Sequence, residues 1–180
     1  MTLSVEGNKV PVKRKEGKAV GKNQDTSLTG AAGEHLVLSR LLSRGILAAQ
    51  APRGARKADI LVNHLDDKAP CLIQVKTRSG KGSDVGWHMH KKHETVTDKD
   101  LFYCFVNLGS KEQEIYVIPA KVVAKVVTES HATWLKTPGK GGKPHKDTDL
   151  RRIITHYNMN LRSAPEGWIE NYREKWDYFE

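Results

Sequence analysis

Residues 58–78, ADILVNHLDDKAPCLIQVKTR, read as a strand, a polar turn and a second strand. Ile, Leu and Val dominate both arms, yet Asp59 opens the first, and Gln74 and Lys76 interrupt the second. Side chains alternate along a strand, so Gln74 and Lys76 share one face while Ile73 and Val75 share the other. With strands near 58–64 and 71–77 and a turn centred near residues 67–68, Asp59 falls roughly opposite Lys76. Burying a charge is costly unless it is paired or binds a metal. Two readings compete: a cross-strand Asp59–Lys76 ion pair with Gln74 merely polar, or a catalytic site.

The segment just upstream bears on the choice. DTSLTGAAGEHLVLSRLLSRGI, residues 25–46, predicts a helix capped by Asp25, Thr26 or Ser27 and ended by Gly45. Helical periodicity gathers Leu28, Ala31, Leu38, Leu42 and Ile46 into an inward stripe, with Glu34 at its edge. Glu34 therefore points toward whatever the helix packs on. His35 lies on the same side and reads as hydrogen-bonded structure. Glu34, Asp59 and Gln74 offer two carboxylates and a carboxamide oxygen, a hard set that suits Mg²⁺. Lys76 beside them can orient or deprotonate a water.

Charge points the same way. The 180-residue chain has a formal net charge of +9, a pI near 9.5 and a mean hydropathy of −0.58. Such a field attracts polyanions, nucleic acid first. Basic residues crowd an N-terminal arm (Lys9 to Lys22) and a second segment from Lys136 to Arg152 containing TPGKGGKPHK. Both read as phosphate-seeking segments that order on a backbone. Arg53, Arg56 and Lys57 lead into Asp59, Thr77 and Arg78 continue the second strand, and Lys91 and Lys92 follow Trp87; these are the candidate nucleic-acid contacts. His88, His90 and His93 lack a Cys or acid at ligand spacing, so they read as phosphate or base contacts rather than a zinc site. No apolar run approaches the roughly 18 residues that cross a bilayer, and the first residues lack a secretory apolar core, which makes a cytoplasmic, membrane-free protein the expectation. Cys71 and Cys104 sit in apolar runs and read as buried thiols.

The remaining pattern predicts a short strand at ILAAQAP (46–52), a long connection at 80–100, strands at 101–108 and 114–119, a helix after Pro119, a loop at 137–149 and a terminal helix over 165–179. In that last helix Trp168, Tyr172, Trp176 and Phe179 would form one docking stripe. Residues 1–24 read as a flexible basic arm and 25–180 as one domain. Helix, strand meander and helix in that order imply an α+β fold built on a mixed sheet flanked by helices.

Glu34 in a GEH helix, AD at 58–59 and IQVK at 73–76 resemble the PD-(D/E)XK nuclease superfamily, most closely its Holliday-junction-resolvase-like branch, over about residues 28–120. The resemblance implies a restriction-endonuclease-like core, a central four- to five-stranded mixed sheet between helices. It implies a Mg²⁺- or Mn²⁺-dependent endonuclease acting on DNA, branched or junction DNA included, and working as a homodimer. RNA is the less expected partner. Carried over, Glu34, Asp59 and Gln74 would hold the metal and Lys76 would serve catalysis. Ala58 stands where the motif has proline. Gln74 stands where it has an acid, leaving two negative ligands where three are usual. A catalytically silent nucleic-acid-binding module on the same fold is therefore the alternative expectation.

Overall fold

The computed structural model describes residues 26–55, 57–63, 69–80 and 86–180. The expected basic arm, Arg56 and most of the hairpin turn lie outside the described residues. The chain forms a mixed α+β fold. Helix α1 (Thr26–Leu42) is followed by strands β1 (Leu47–Gln50), β2 (Ile60–Asn63), β3 (Cys71–Arg78), β4 (Gly86–His90), β5 (Leu101–Asn107) and β6 (Glu114–Pro119). Helix α2 (Ala120–Lys136) and strand β7 (Leu150–Ile154) complete it. Five strands make one sheet in the order β1-β2-β3-β5-β6, parallel between β3 and β5 and antiparallel elsewhere; β4 and β7 form a separate antiparallel ribbon. This is the mixed five-stranded sheet with flanking helices that the sequence predicts. Among the described residues no helix is long and apolar enough to cross a membrane.

Alternation along the strands divides the core in two. Ile73, Val75, Phe102, Cys104, Val106, Ile115 and Val117 face α1, where they enclose Val37 and Leu41. Leu101, Tyr103, Phe105, Tyr116 and Ile118 face the other way, toward α2 and the β4–β7 ribbon. Cys71 and Cys104 are both buried on the α1 side, as expected of apolar thiols. Gly45, at φ +75°, ends α1: its N–H bonds to Leu42 O and the N–H of Ile46 reaches Leu41 O at 3.1 Å. Ile46 and Leu41 then pack together in the core, the apolar contact that completes a left-handed helix stop.

Four sequence expectations are corrected. The buried stripe of α1 is Gly33, Val37 and Leu41, whereas Leu28 and Leu42 are 70% and 51% exposed and His35 faces solvent. The helix has turned to present Gly33 to β3, where a Cβ would lie 1.9 Å from Thr77 Oγ1, so the closest approach sets the face rather than the largest side chains. The connection at 80–100 contains β4 and a 3₁₀ turn at Lys91–Thr95, and β7 is an additional strand. In both ribbon strands alternate burial is real, but His88 and His90 on β4 and an exposed Leu150 and buried Arg151 on β7 disguise it.

The fourth correction concerns the chain end. No α-helix covers 165–179; two short 3₁₀ turns, Trp168–Tyr172 and Trp176–Tyr178, stand there instead. Trp168 packs into the α2-side core, while Trp176 and Phe179 pack into the α1-side core. Between them Arg173 bridges to Tyr116, and the Glu174 N–H bonds to Ile115 O at 2.9 Å. The tail thus passes around the β6 edge from one face to the other, which one helix cannot do. It also covers an edge that would otherwise offer unpaired backbone groups.

Candidate active site

The site is built where β2 begins and β3 runs on. Asp59 is fixed by its backbone on both sides: its N–H bonds to Ile73 O at 2.8 Å, and its carbonyl accepts from Ala51 N–H at 2.9 Å. Pairing of Ile60 with Ile73 places Asp59 beside Gln74, two residues nearer the turn than the Lys76 position the sequence suggests. From there its carboxylate reaches forward. Asp59 Oδ2 accepts the Val75 N–H at 2.7 Å, so the acid is pinned to the backbone between Gln74 and Lys76. A carboxylate bonded to a backbone amide gains a charge-assisted hydrogen bond, and its remaining lone pairs stay available to a cation.

Gln74 and Lys76 are half-buried on the face opposite α1, next to Tyr103 and Phe105 in the parallel register with β5. Glu34 comes from the other layer, on the turn of α1 that Gly33 seats against Thr77. Asp59 couples the two. The Glu34 carboxyl is held above its ordinary value by burial first and by the Asp59 charge second, with His35 opposing. The Lys76 ammonium is pushed below its ordinary value by burial, against the attraction of Asp59 and with the help of Lys92. Acid, acid and amine therefore share one electrostatic neighbourhood along β3, just past the residues that β2 pairs.

Among the described residues no three His, Cys, Asp or Glu side chains converge as a metal site, so a cation here would depend on the Gln74 oxygen beside the two carboxylates. That donor set is all oxygen, the chemistry that suits Mg²⁺ and Mn²⁺. Two acids brought close enough to raise one carboxyl also create the negative charge that a divalent ion relieves. The residues present fit such an ion.

The candidate nucleic-acid contacts fall in three places. Arg53 is exposed in the turn before β2; Lys57 is also exposed and lies 3.3 Å from Asp98. Thr77 is half-buried under Gly33, and its hydroxyl finds no hydrogen-bond partner among the described residues. Arg78 lays its guanidinium 4.4 Å above the Trp87 ring. Lys91 and Lys92 are exposed at the start of the 3₁₀ turn. Lys76, Thr77 and Arg78 line a cleft of about 380 Å³ with Thr26 and Thr29 of α1 and His88 of β4. Of the three histidines read as phosphate contacts, His93 is only 5% exposed; its ring packs edge-on against Tyr103 and its Nδ1 accepts the His90 N–H at 3.0 Å. The motif HMHKKH holds no signal that separates this buried histidine from the exposed His88 and His90.

No family model and no curated protein matches the chain. Among solved structures it is similar to a bacterial homing endonuclease, over 85% of this chain and 89% of that one, at 18% identity and a TM-score of 0.46.

Proposed function

We propose that this protein is a Mg²⁺- or Mn²⁺-dependent endonuclease that hydrolyses phosphodiester bonds in DNA, acting in the cytoplasm. The observation that carries the reading is the hydrogen bond from Val75 N–H to Asp59 Oδ2, which pins the acid between Gln74 and Lys76. In this reading Glu34, Asp59 and Gln74 hold the ion through oxygen. The bound ion would lower the pKa of a water and offset charge on the phosphate. Lys76, whose amine loses its proton more readily than an exposed lysine, accepts a proton from that water or orients it at Nζ. Arg53, Arg56, Lys57, Thr77, Arg78, Lys91 and Lys92 position the strand through its phosphates, with Lys91 and Lys92 opposite the α1 side of the site.

The test is incubation of the purified protein with linear and branched DNA in Mn²⁺ and in chelator, beside Lys76→Ala prepared identically. Metal-dependent cutting by the parent alone is the expected outcome. Equal cutting by both proteins removes the assignment of Lys76. A second reading, a binding module with a silent site, has one observation in its favour: the site carries two carboxylates and an amide where three acids would bind metal more tightly. It requires salt-sensitive DNA binding with no cutting at any metal concentration.

A further inference from the structure

Arg78 ends β3, on the face that carries Gln74 and Lys76. Its guanidinium lies 4.4 Å from the centre of the Trp87 ring. That ring is itself fixed: Trp87 is 2% exposed, its indole N–H bonds to Val106 O at 2.9 Å, and Phe105 and Tyr116 pack against it. Stacking on an immobile ring holds the guanidinium plane in one orientation. The fold nevertheless gives the group no acceptor. Arg78 Nε–H is buried without a hydrogen-bond partner, and the guanidinium forms no ion pair among the described residues. Three other arginines behave differently. Arg44 lies over Trp176 and pairs with Glu174. Arg173 lies over Tyr116 and pairs with Glu114 and Glu170, and the buried Arg151 pairs with Glu94. An arginine that serves structure in this fold donates to an acid, and Arg78 does not. Strong donors left unmatched are unfavourable and call for a reason beyond packing.

We propose that Arg78 is a further catalytic residue, whose guanidinium donates to the non-bridging oxygens of the phosphate under attack and stabilises the charge that develops on them. This rests on the endonuclease reading and deepens it: a group that only grips the strand strengthens binding without speeding the reaction. Position supports the role. Lys76 and Arg78 line the same cleft of about 380 Å³. Neighbours on one face of a strand stand roughly 6–7 Å apart. A phosphoryl group between them can accept charge-assisted bonds of about 2.7–2.9 Å from both. Rigidity supports it too, because a donor already oriented needs no rearrangement as the reaction proceeds. In the step itself the water oxygen bonds to phosphorus while a bridging P–O bond breaks. The departing oxygen keeps the electron pair of that bond and takes up a proton. The proton lost by water passes to Lys76 or to solvent. A guanidinium holds its own protons throughout, so Arg78 supplies charge and direction, never a proton.

The experiment is single-turnover cleavage of DNA by the full chain in Mn²⁺, with the saturated rate and the half-saturating concentration read separately. Arg78→Ala and Arg78→Lys are run beside the parent and Lys76→Ala, with rates normalised to the folded fraction. Both Arg78 variants should lose about 10²–10³-fold in saturated rate, the range of one donor removed from a developing oxyanion. Their affinity for the same DNA without metal should stay within about threefold of the parent's. Millimolar guanidinium ion should restore part of the Arg78→Ala rate where equal sodium chloride does not, and should leave Lys76→Ala unchanged. An Arg78→Ala protein that cuts at the parent rate once saturated overturns the proposal. So does an Arg78→Lys protein equal to the parent, since charge alone would then suffice. A loss that guanidinium does not relieve and that follows the melting curve marks a packing role and overturns it as well. A parent that cuts through Lys76 while ignoring Arg78 sinks this assignment alone. One that never cuts in Mn²⁺ sinks the endonuclease reading, and Arg78 as a catalyst with it.

Discussion

The two faces of β3 differ along the same eight residues. Toward α1 the strand presents Cys71, Ile73 and Val75, all buried, and then Thr77 against a glycine. Toward the ribbon it presents Leu72, Gln74, Lys76 and Arg78, which become more polar with each step. The first face is held by burial and tight packing, and it seats the helix that carries Glu34. The second face leaves the apolar core partway along the strand, and the acid from β2 meets it at that point. In the proposed reading one strand serves as scaffold on one side and reagent on the other, because alternation keeps the two sets of side chains apart.

Substitutions on the two faces should therefore fail in different ways. Lys76→Ala should cut the rate of DNA cleavage by about 10²–10⁴-fold, the range of a lost proton-transfer group, with the thermal midpoint nearly unchanged. Ile73→Ala, three residues away and fully buried, should cost roughly 2–5 kcal/mol of stability while the folded fraction still cuts at the parent rate. Unfolding curves paired with cleavage rates normalised to folded protein separate the two effects. If Lys76→Ala unfolds as readily as Ile73→Ala, then the lysine is a structural partner of Asp59 and the division between the faces is wrong.

Gly33→Ala tests the link between the faces. The new methyl would meet Thr77 Oγ1 at 1.9 Å and Thr77 Cβ at 2.9 Å, too close for either to remain in place. Overpacking of this kind costs about 1–3 kcal/mol, in a helix position where alanine would otherwise be preferred over glycine. The displaced turn carries Glu34, so cleavage should fall along with stability. A stabilised protein with full activity would show that α1 is free to shift and that Glu34 has no fixed place in the site.

Much of this was legible in sequence, for identifiable reasons. The hairpin, both helices' placement and the mixed sheet follow from short apolar runs rich in aromatic and β-branched residues, such as LFYCFVN, and from helical spacing, as in AKVVAKVV. Gln74 and Lys76 sharing a face required only the pleat. The register of Asp59 did not, because one residue of error at each side of the turn moves the partner from Gln74 to Lys76. The face of α1 was misread because its determinant is an absent side chain, Gly33, and composition-based periodicity weighs only what is present. Aromatic spacing near the chain end imitated a helix, although its members go to opposite cores. His93 was grouped with exposed neighbours because burial here comes from Tyr103, ten residues on and across the fold.

That histidine provides the finest probe of the ribbon-side face. Burial lowers its pKa, and the charges of Lys76, Lys92 and His90 add to the effect, against the His90 carbonyl, 2.9 Å from Nδ1, to which a protonated ring can donate. An unfolded chain binds a proton at histidine near pH 6.5, whereas the folded chain refuses it until the pH is lower. Stability from this source is therefore complete above about 6.5 and is lost as pH falls through the lower folded value, at about 1.4 kcal/mol per pH unit at most. Thermal midpoints of the parent should drop between pH 7 and pH 5, and His93→Gln, which does not titrate, should show a shallower slope. The slope is the readout, since the substitution shifts the absolute midpoint through lost packing on Tyr103. Parallel slopes in the two proteins would mean that His93 protonates freely in the folded state, and that the lysines facing it do not make this side of the sheet the electropositive one.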